Sequence, residues 1–168
     1  MKYLKTWQIF ENNDSDIKQY IQEKGYKPNT DKYKKFLYHG TYKNPNDFKL
    51  DPDLDWVDVV GNGSWDFDMP DGVLFLSNSI LEAKVYGSYI IPFELDTDDI
   101  LTIKVDSDNP SNLFDEDYNY GTKYNLYQRF TDEAECLEIK GNTKSTFICY
   151  IGSSLIPRLD IAKEFYNK

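Results

Sequence analysis

Histidine is almost absent from this 168-residue chain, with His39 as its sole representative. Together with only two cysteines, Cys136 and Cys149, it supplies no ligand set at the spacings zinc sites use, so no metal centre is expected. Two cysteines also fall short of a disulfide framework. Both lie in apolar, strand-like runs and read as buried thiols, which implies a reducing, cytoplasmic setting. Long apolar runs are missing too. Nothing approaches the ~18 residues a membrane span needs. Lys2 and Lys5 open the chain without an apolar core behind them, so no secretion signal is expected. Basic residues number 19 against 29 acidic ones, a net charge of −10. That balance argues against nucleic acid or anionic membrane as a partner, with the clusters Lys32, Lys34, Lys35 and Lys2, Lys5 the only hints of a local basic groove. Neither GxGxxG nor GxxxxGK(S/T) occurs, which removes the Rossmann and P-loop nucleotide sites.

What is present is enough for a core. Hydrophobic residues make up 40% and aromatics 16%, with 14 tyrosines suited to half-buried positions. Residues 1–31 read as an N-terminal helical prefix, either packed on the rest or detachable. Within it Asp14 or Ser15 can cap a helix whose Ile17, Tyr20 and Ile21 share a face, and Gly25 and Pro28 end it. Residues 32–168 form the main domain. "KKFLYHG" (34–40) reads as a strand. Residues 43–71 read as a long acidic loop with a short strand at Trp56–Val60. "GVLFLS" (72–77) is the next strand. A helix of about two turns follows, with Ser79 and Glu82 at capping-box spacing and Gly87 as its stop. Strands are expected at 89–95 and 100–105. Pro92 marks the former as an edge or a bulge. A helix is expected around 123–130, strands at 134–141 and 145–151, and a closing helix in "PRLDIAKEFYNK". The order fits an α+β domain with a mostly antiparallel sheet better than a repeating βαβ array.

Three stretches in this order, "LYHGT", "GVLFLSNSILEAKVYG" and "IIPFEL", resemble the ADP-ribosyltransferases of the His-Tyr-Glu type. These include diphtheria-toxin-like enzymes, poly(ADP-ribose) polymerases, rifampicin ADP-ribosyltransferases and small phage relatives. The resemblance covers roughly residues 36–156. It implies split, mostly antiparallel sheets with short flanking helices, and NAD as substrate without a metal. It further implies that His39 bonds the adenine-side ribose and that Gly40 and Thr41 offer backbone to the nicotinamide amide. Leu74, Phe75 and Ser77 would line the same site, and Tyr86 would stack on the nicotinamide ring. Two positions depart from the family pattern. Leu74 stands where a second stacking tyrosine belongs, and Thr146 where the catalytic Glu begins a late strand. The preceding hairpin then supplies the candidates Glu138, Glu135 and Glu133, the last two also resembling the Glu-x-Glu turn of arginine-modifying toxins.

The chemistry asked of such a site is consistent. Breaking the nicotinamide bond develops oxocarbenium character on the ribose, which a nearby carboxylate stabilises. The implied activity is mono-ADP-ribosyl transfer to a protein acceptor, such as a basic host protein, or to a rifampicin-like small molecule. Each residue also has an ordinary reading. His39 can be a structural histidine, Tyr86 a core ring, Ser77 and Ser79 helix caps, and Glu135 and Glu138 the wet face of a strand. Two other functions stay open: an ADP-ribosyltransferase-like module that binds without catalysis, and a virion-packaged phage protein. For the latter, "LKTWQIFE" resembles the N-terminal targeting tags of large tailed phages.

Overall fold

The computed structural model describes residues 17–48, 73–110, 134–150 and 154–167. The expected strand at 56–60, the helix at 123–130, most of the acidic loop, and Glu133 lie outside these residues.

Helix α1 (residues 17–24) ends as its sequence dictates. Gly25 adopts φ +70°, its N–H bonds Gln22 O at 3.1 Å, and Tyr26 N–H bonds Ile21 O at 3.0 Å. This is the Schellman arrangement, which glycine enters without a Cβ penalty. Ile17, Tyr20 and Ile21 are buried in one cluster with Phe36, Tyr38 and Ile90, so α1 packs on the sheet.

The apolar runs become strands β1 (Phe36–Thr41), β2 (Val73–Ser77), β3 (Tyr89–Leu95), β4 (Ile100–Lys104), β5 (Cys136–Lys140), β6 (Ser145–Tyr150) and β7 (Leu155–Pro157). Helices α2 (Ile80–Lys84) and α3 (Leu159–Tyr166) complete the set. The strands form a seven-stranded sheet in the order β4-β5-β6-β2-β1-β3-β7. It is a mixed α/β fold, antiparallel throughout except where β4 runs parallel to β5. Pro92 illustrates how the chain accommodates its exceptions. In an antiparallel strand a residue's N and O point to the same side. Pro92 O accepts from Arg158 N at 2.8 Å, and the β3–β7 ladder begins only at Phe93 opposite Pro157. The missing N–H therefore faces the end of a ladder, and β3 is an inner strand rather than an edge.

Alternation gives each face its own core. Leu37, Leu74, Leu76, Ile91, Phe93 and Phe147 pack together on one face. Phe36, Tyr38 and Ile90 pack under α1 and under Ile80 and Ala83 of α2 on the other.

The cysteines correct an expectation. They are buried, at 0% and 1% exposure, but they are joined as a disulfide. The reason is register: Cys136 on β5 lies directly opposite Cys149 on β6, and opposed residues bring their Cβ atoms within bonding reach.

Candidate functional site

The sheet has one weak seam. β1 and β3 pair along six residues, and β2 and β6 along five. Between β1 and β2 only Tyr38 opposite Ser77 forms a pair, although residues 39–41 and 74–76 are all described. Two well-laddered halves are thus joined by a single ladder pair, and His39 is the first residue beyond it. Its Nδ1 lies 2.8 Å from Phe75 O, so the imidazole bridges the two strands where backbone pairing has stopped. The ring is half-buried and meets Phe93 edge-on, with centroids 6.2 Å apart.

Gly40 and Thr41 continue β1 beyond the seam. A Cβ on Gly40 would lie 1.8 Å from Ala83 O, and one on Gly87 within 2.5 Å of the Thr41 backbone. Glycine is needed at both positions because the end of α2 lies directly on β1. The side of Gly40 where a side chain would stand is therefore filled by helix backbone. Thr41 is buried and its Oγ1 accepts from Lys43 N at 3.2 Å. Tyr86 is half-buried in the turn after α2, its N–H bonding Ala83 O at 3.1 Å. It immediately precedes Gly87 and so stands beside the end of β1. Across the seam, Leu74 is a core residue at 5% exposure, while Phe75 is half-buried against Leu137, Ile139 and Ile148.

The hairpin carboxylates lie elsewhere. Register places Glu138 opposite Phe147 and Phe147 opposite Leu76, with β1 and His39 one strand further on. At the usual strand spacing Glu138 is roughly 14 Å from His39, with buried Leu76 and Phe147 between them. Its oxygens accept from Thr102 Oγ1 at 3.0 Å and Ser145 Oγ at 2.8 Å. Nearby Tyr33 is pushed up to about 12, chiefly by burial and then by the Glu138 charge. Glu135 is exposed and accepts from Ser154 Oγ at 2.6 Å. Its carboxyl is held below the usual range by hydrogen bonds from Ser154 and Thr97.

The capping box does not form. Ser79 occupies the N-cap of α2 but its side chain makes no capping bond. Its N–H goes instead to Ser77 Oγ at 3.0 Å, which removes the donor that Glu82 would have served. Glu82 turns inward. Its carboxylate accepts from Ser77 Oγ at 2.5 Å and from Thr146 Oγ1 at 3.0 Å, with Lys144 Nζ at 3.9 Å. Sequence reasoning missed this group because the Ser79–Glu82 spacing already had a local explanation. The contact to Thr146 spans 64 residues and leaves no trace in the sequence.

Among the described residues no group of three or more His, Cys, Asp or Glu could hold a metal ion, and no helix is long and apolar enough to cross a membrane. No family model matches the chain, and it matches neither a curated protein nor a solved structure.

Proposed function

We propose that the protein is an NAD-dependent mono-ADP-ribosyltransferase acting on a protein acceptor. The observation that carries this reading is the seam itself. Past Tyr38 and Ser77 no ladder pair joins β1 to β2, although β1 stays laddered to β3 and β2 to β6, and His39 is the first residue beyond that pair. Strand backbone beside an imidazole can hold the hydroxyls and amide of a dinucleotide by direct hydrogen bonds. In this reading His39 and the backbone of Gly40 and Thr41 bind from one side. Phe75 and Ser77 bind from the other, with Leu74 contributing backbone only, and Tyr86 covers the nicotinamide.

In the reaction the bond between ribose C1′ and the nicotinamide nitrogen breaks, and nicotinamide leaves with the electron pair. The acceptor's lone pair then bonds C1′ and the acceptor releases a proton. A carboxylate is needed to face the cation that develops. Of the hairpin candidates, Glu138 shares a face with His39, whereas Glu135 sits beyond Cys136 at the start of β5.

The test is direct. NAD at millimolar concentration is expected to raise the melting temperature, and labelled NAD to release nicotinamide and label an acceptor protein in a lysate. The absence of both a thermal shift and nicotinamide release overturns the reading. A thermal shift without release favours the binding module.

A further inference from the structure

We infer that the outer edge of β4 is a docking surface for an extended peptide with a basic end, which adds to the sheet as a further strand. The inference does not depend on the transferase reading. β4 stands at one end of the strand order and β7 at the other. β7 is three residues long and ends in Pro157, so it offers an incoming chain almost no ladder. β4 runs for five residues, Ile100–Lys104, without a proline. Two hydrogen bonds fix its inner side. Asp99 O accepts from Cys136 N at 3.2 Å, and Val105 N donates to Lys140 O at 3.0 Å. Along an extended strand the backbone groups of successive residues point to opposite sides. Leu101 and Ile103 therefore face β5, while Ile100, Thr102 and Lys104 face outward. Ile100 N–H is taken locally by Asp98 O at 3.0 Å. That leaves the N–H groups of Thr102 and Lys104 and the carbonyls of Ile100 and Thr102 along the edge. Among the described residues no strand pairs with that side, and Thr102 and Lys104 are exposed. Such a row is a template for another strand, with main-chain hydrogen bonds supplying the affinity.

The side chains around the edge say what fits. Leu101, Ile103 and Val105 are half-buried against Leu137, Ile139 and Ile148. A strand laid beside them extends that apolar row, so the incoming chain carries apolar residues at alternate positions. Charge sets which end is basic. Asp98 and Asp99 are exposed at the start of β4, and Glu135 is exposed beside them, next to the Cys136 that bonds Asp99 O. Among the described residues none of the three takes part in an ion pair. The far end is balanced, with Lys104 opposite Lys140 and Asp106 and Asp108 just beyond. A chain of net charge −10 also draws a basic peptide rather than an acidic one. Antiparallel pairing, the firmer kind per residue, puts the basic end at the peptide's C-terminus. A second copy fits less well. Paired antiparallel about Thr102 it sets Asp98 opposite Asp106 of the other chain, and paired parallel it sets Asp98 and Asp99 beside their own kind.

The experiment adds the peptide acetyl-Thr-Val-Thr-Val-Thr-Lys-Lys-amide to the full chain and reads amide hydrogen exchange residue by residue. In the free protein the Thr102 and Lys104 amides are expected to exchange fast, and those of Leu101 and Ile103 slowly. Saturating peptide is expected to slow Thr102 and Lys104 by about tenfold or more and to leave Leu101 and Ile103 unchanged. The same peptide ending in Glu-Glu should bind about tenfold or more weakly, and so should the original peptide to the Asp98→Asn/Asp99→Asn variant. Thr102→Pro removes an outward N–H and no rung to β5, so it is expected to fold and to lose the peptide. Thr102→Val keeps that N–H and should bind within about threefold of wild type. Exchange in the wild type decides the matter if the proline variant does not fold. Three results overturn the inference: Thr102 and Lys104 amides already protected in the free monomer, no preference for the basic-ended peptide, or protection that rises with protein concentration alone. The last assigns the edge to a second copy.

Discussion

His39 Nδ1 lies 2.8 Å from Phe75 O, across the one place where neighbouring strands of the sheet are joined by a single pair. The imidazole is a strut between the two strands, with its Nε2 atom buried. His39→Ala is expected to lose about 1 kcal/mol of stability, the net worth of one hydrogen bond, and so a few degrees in Tm. The same variant should show no further rise in Tm with NAD. A full NAD-induced shift in His39→Ala argues against the site.

Gly40→Ala tests how tightly α2 sits on β1. The added Cβ would lie 1.8 Å from the Ala83 carbonyl oxygen, and backbone cannot swing away as a side-chain tip can. Separating strand from helix should cost about 3 kcal/mol or more in urea unfolding. A cost under about 1 kcal/mol would mean the two elements part readily, as a ligand-gated opening requires.

Arg158 fastens three parts of the chain. Its guanidinium donates to Glu94 at 2.6 Å, to Lys27 O at 3.2 Å and to both Asp160 oxygens at 2.7 and 2.9 Å. Arg158→Met leaves Glu94 charged and fully buried, and is expected to cost about 3–5 kcal/mol. Glu94→Leu combined with Arg158→Met should recover much of that loss. Strict additivity of the two single variants would show that the pair is not coupled.

Acid should loosen the same fastening. The hydrogen bonds from Arg158 hold the Asp160 carboxyl below the usual carboxylate range. Because the folded value is depressed, the unfolded state takes up protons first as pH falls. The stabilisation is present above the unfolded value of about 4 and is lost as pH drops through the lower folded value. In urea midpoints measured from pH 7 to pH 2, the gap between wild type and Asp160→Asn should narrow towards the acid end. A gap independent of pH would remove this contribution.

The disulfide gives a simple chemical expectation. Under denaturing, non-reducing conditions the chain should present no reactive thiol, because Cys136 and Cys149 are its only cysteines. Closing a loop with a sequence separation of 13 residues stabilises by roughly 3 kcal/mol, so the Cys136→Ala/Cys149→Ala variant should unfold at lower urea. Two thiols per chain in unreduced protein would restore the free-thiol reading.

Where the sequence was legible, local signals decided the outcome. Apolar runs bounded by polar turns marked β1, β2, β3 and the β5–β6 hairpin, and Gly25 marked the end of α1. β7 escaped because a strand of three residues ending in Pro157 carries no period. The disulfide had a signal that went unread. Lys140 and Ser145 close the hairpin, and Cys136 and Cys149 each stand four residues from that closing pair, hence opposite one another. Glu82 and Glu94 had none, since both find partners 64 residues away. Local spacing cannot announce a contact that only the assembled sheet creates. The thin pairing of β1 with β2 left no trace in the sequence, because a place where pairing stops has the same composition as one where it continues.

The docking of α1 sets a limit on any maturation of the chain. Ile17, Tyr20 and Ile21 cover Phe36 and Tyr38, and Glu94 takes a hydrogen bond from the Asn29 backbone. A protease that cuts at residue 31 strips a lid from the aromatic rows beneath, and the product should be sticky and short-lived rather than activated.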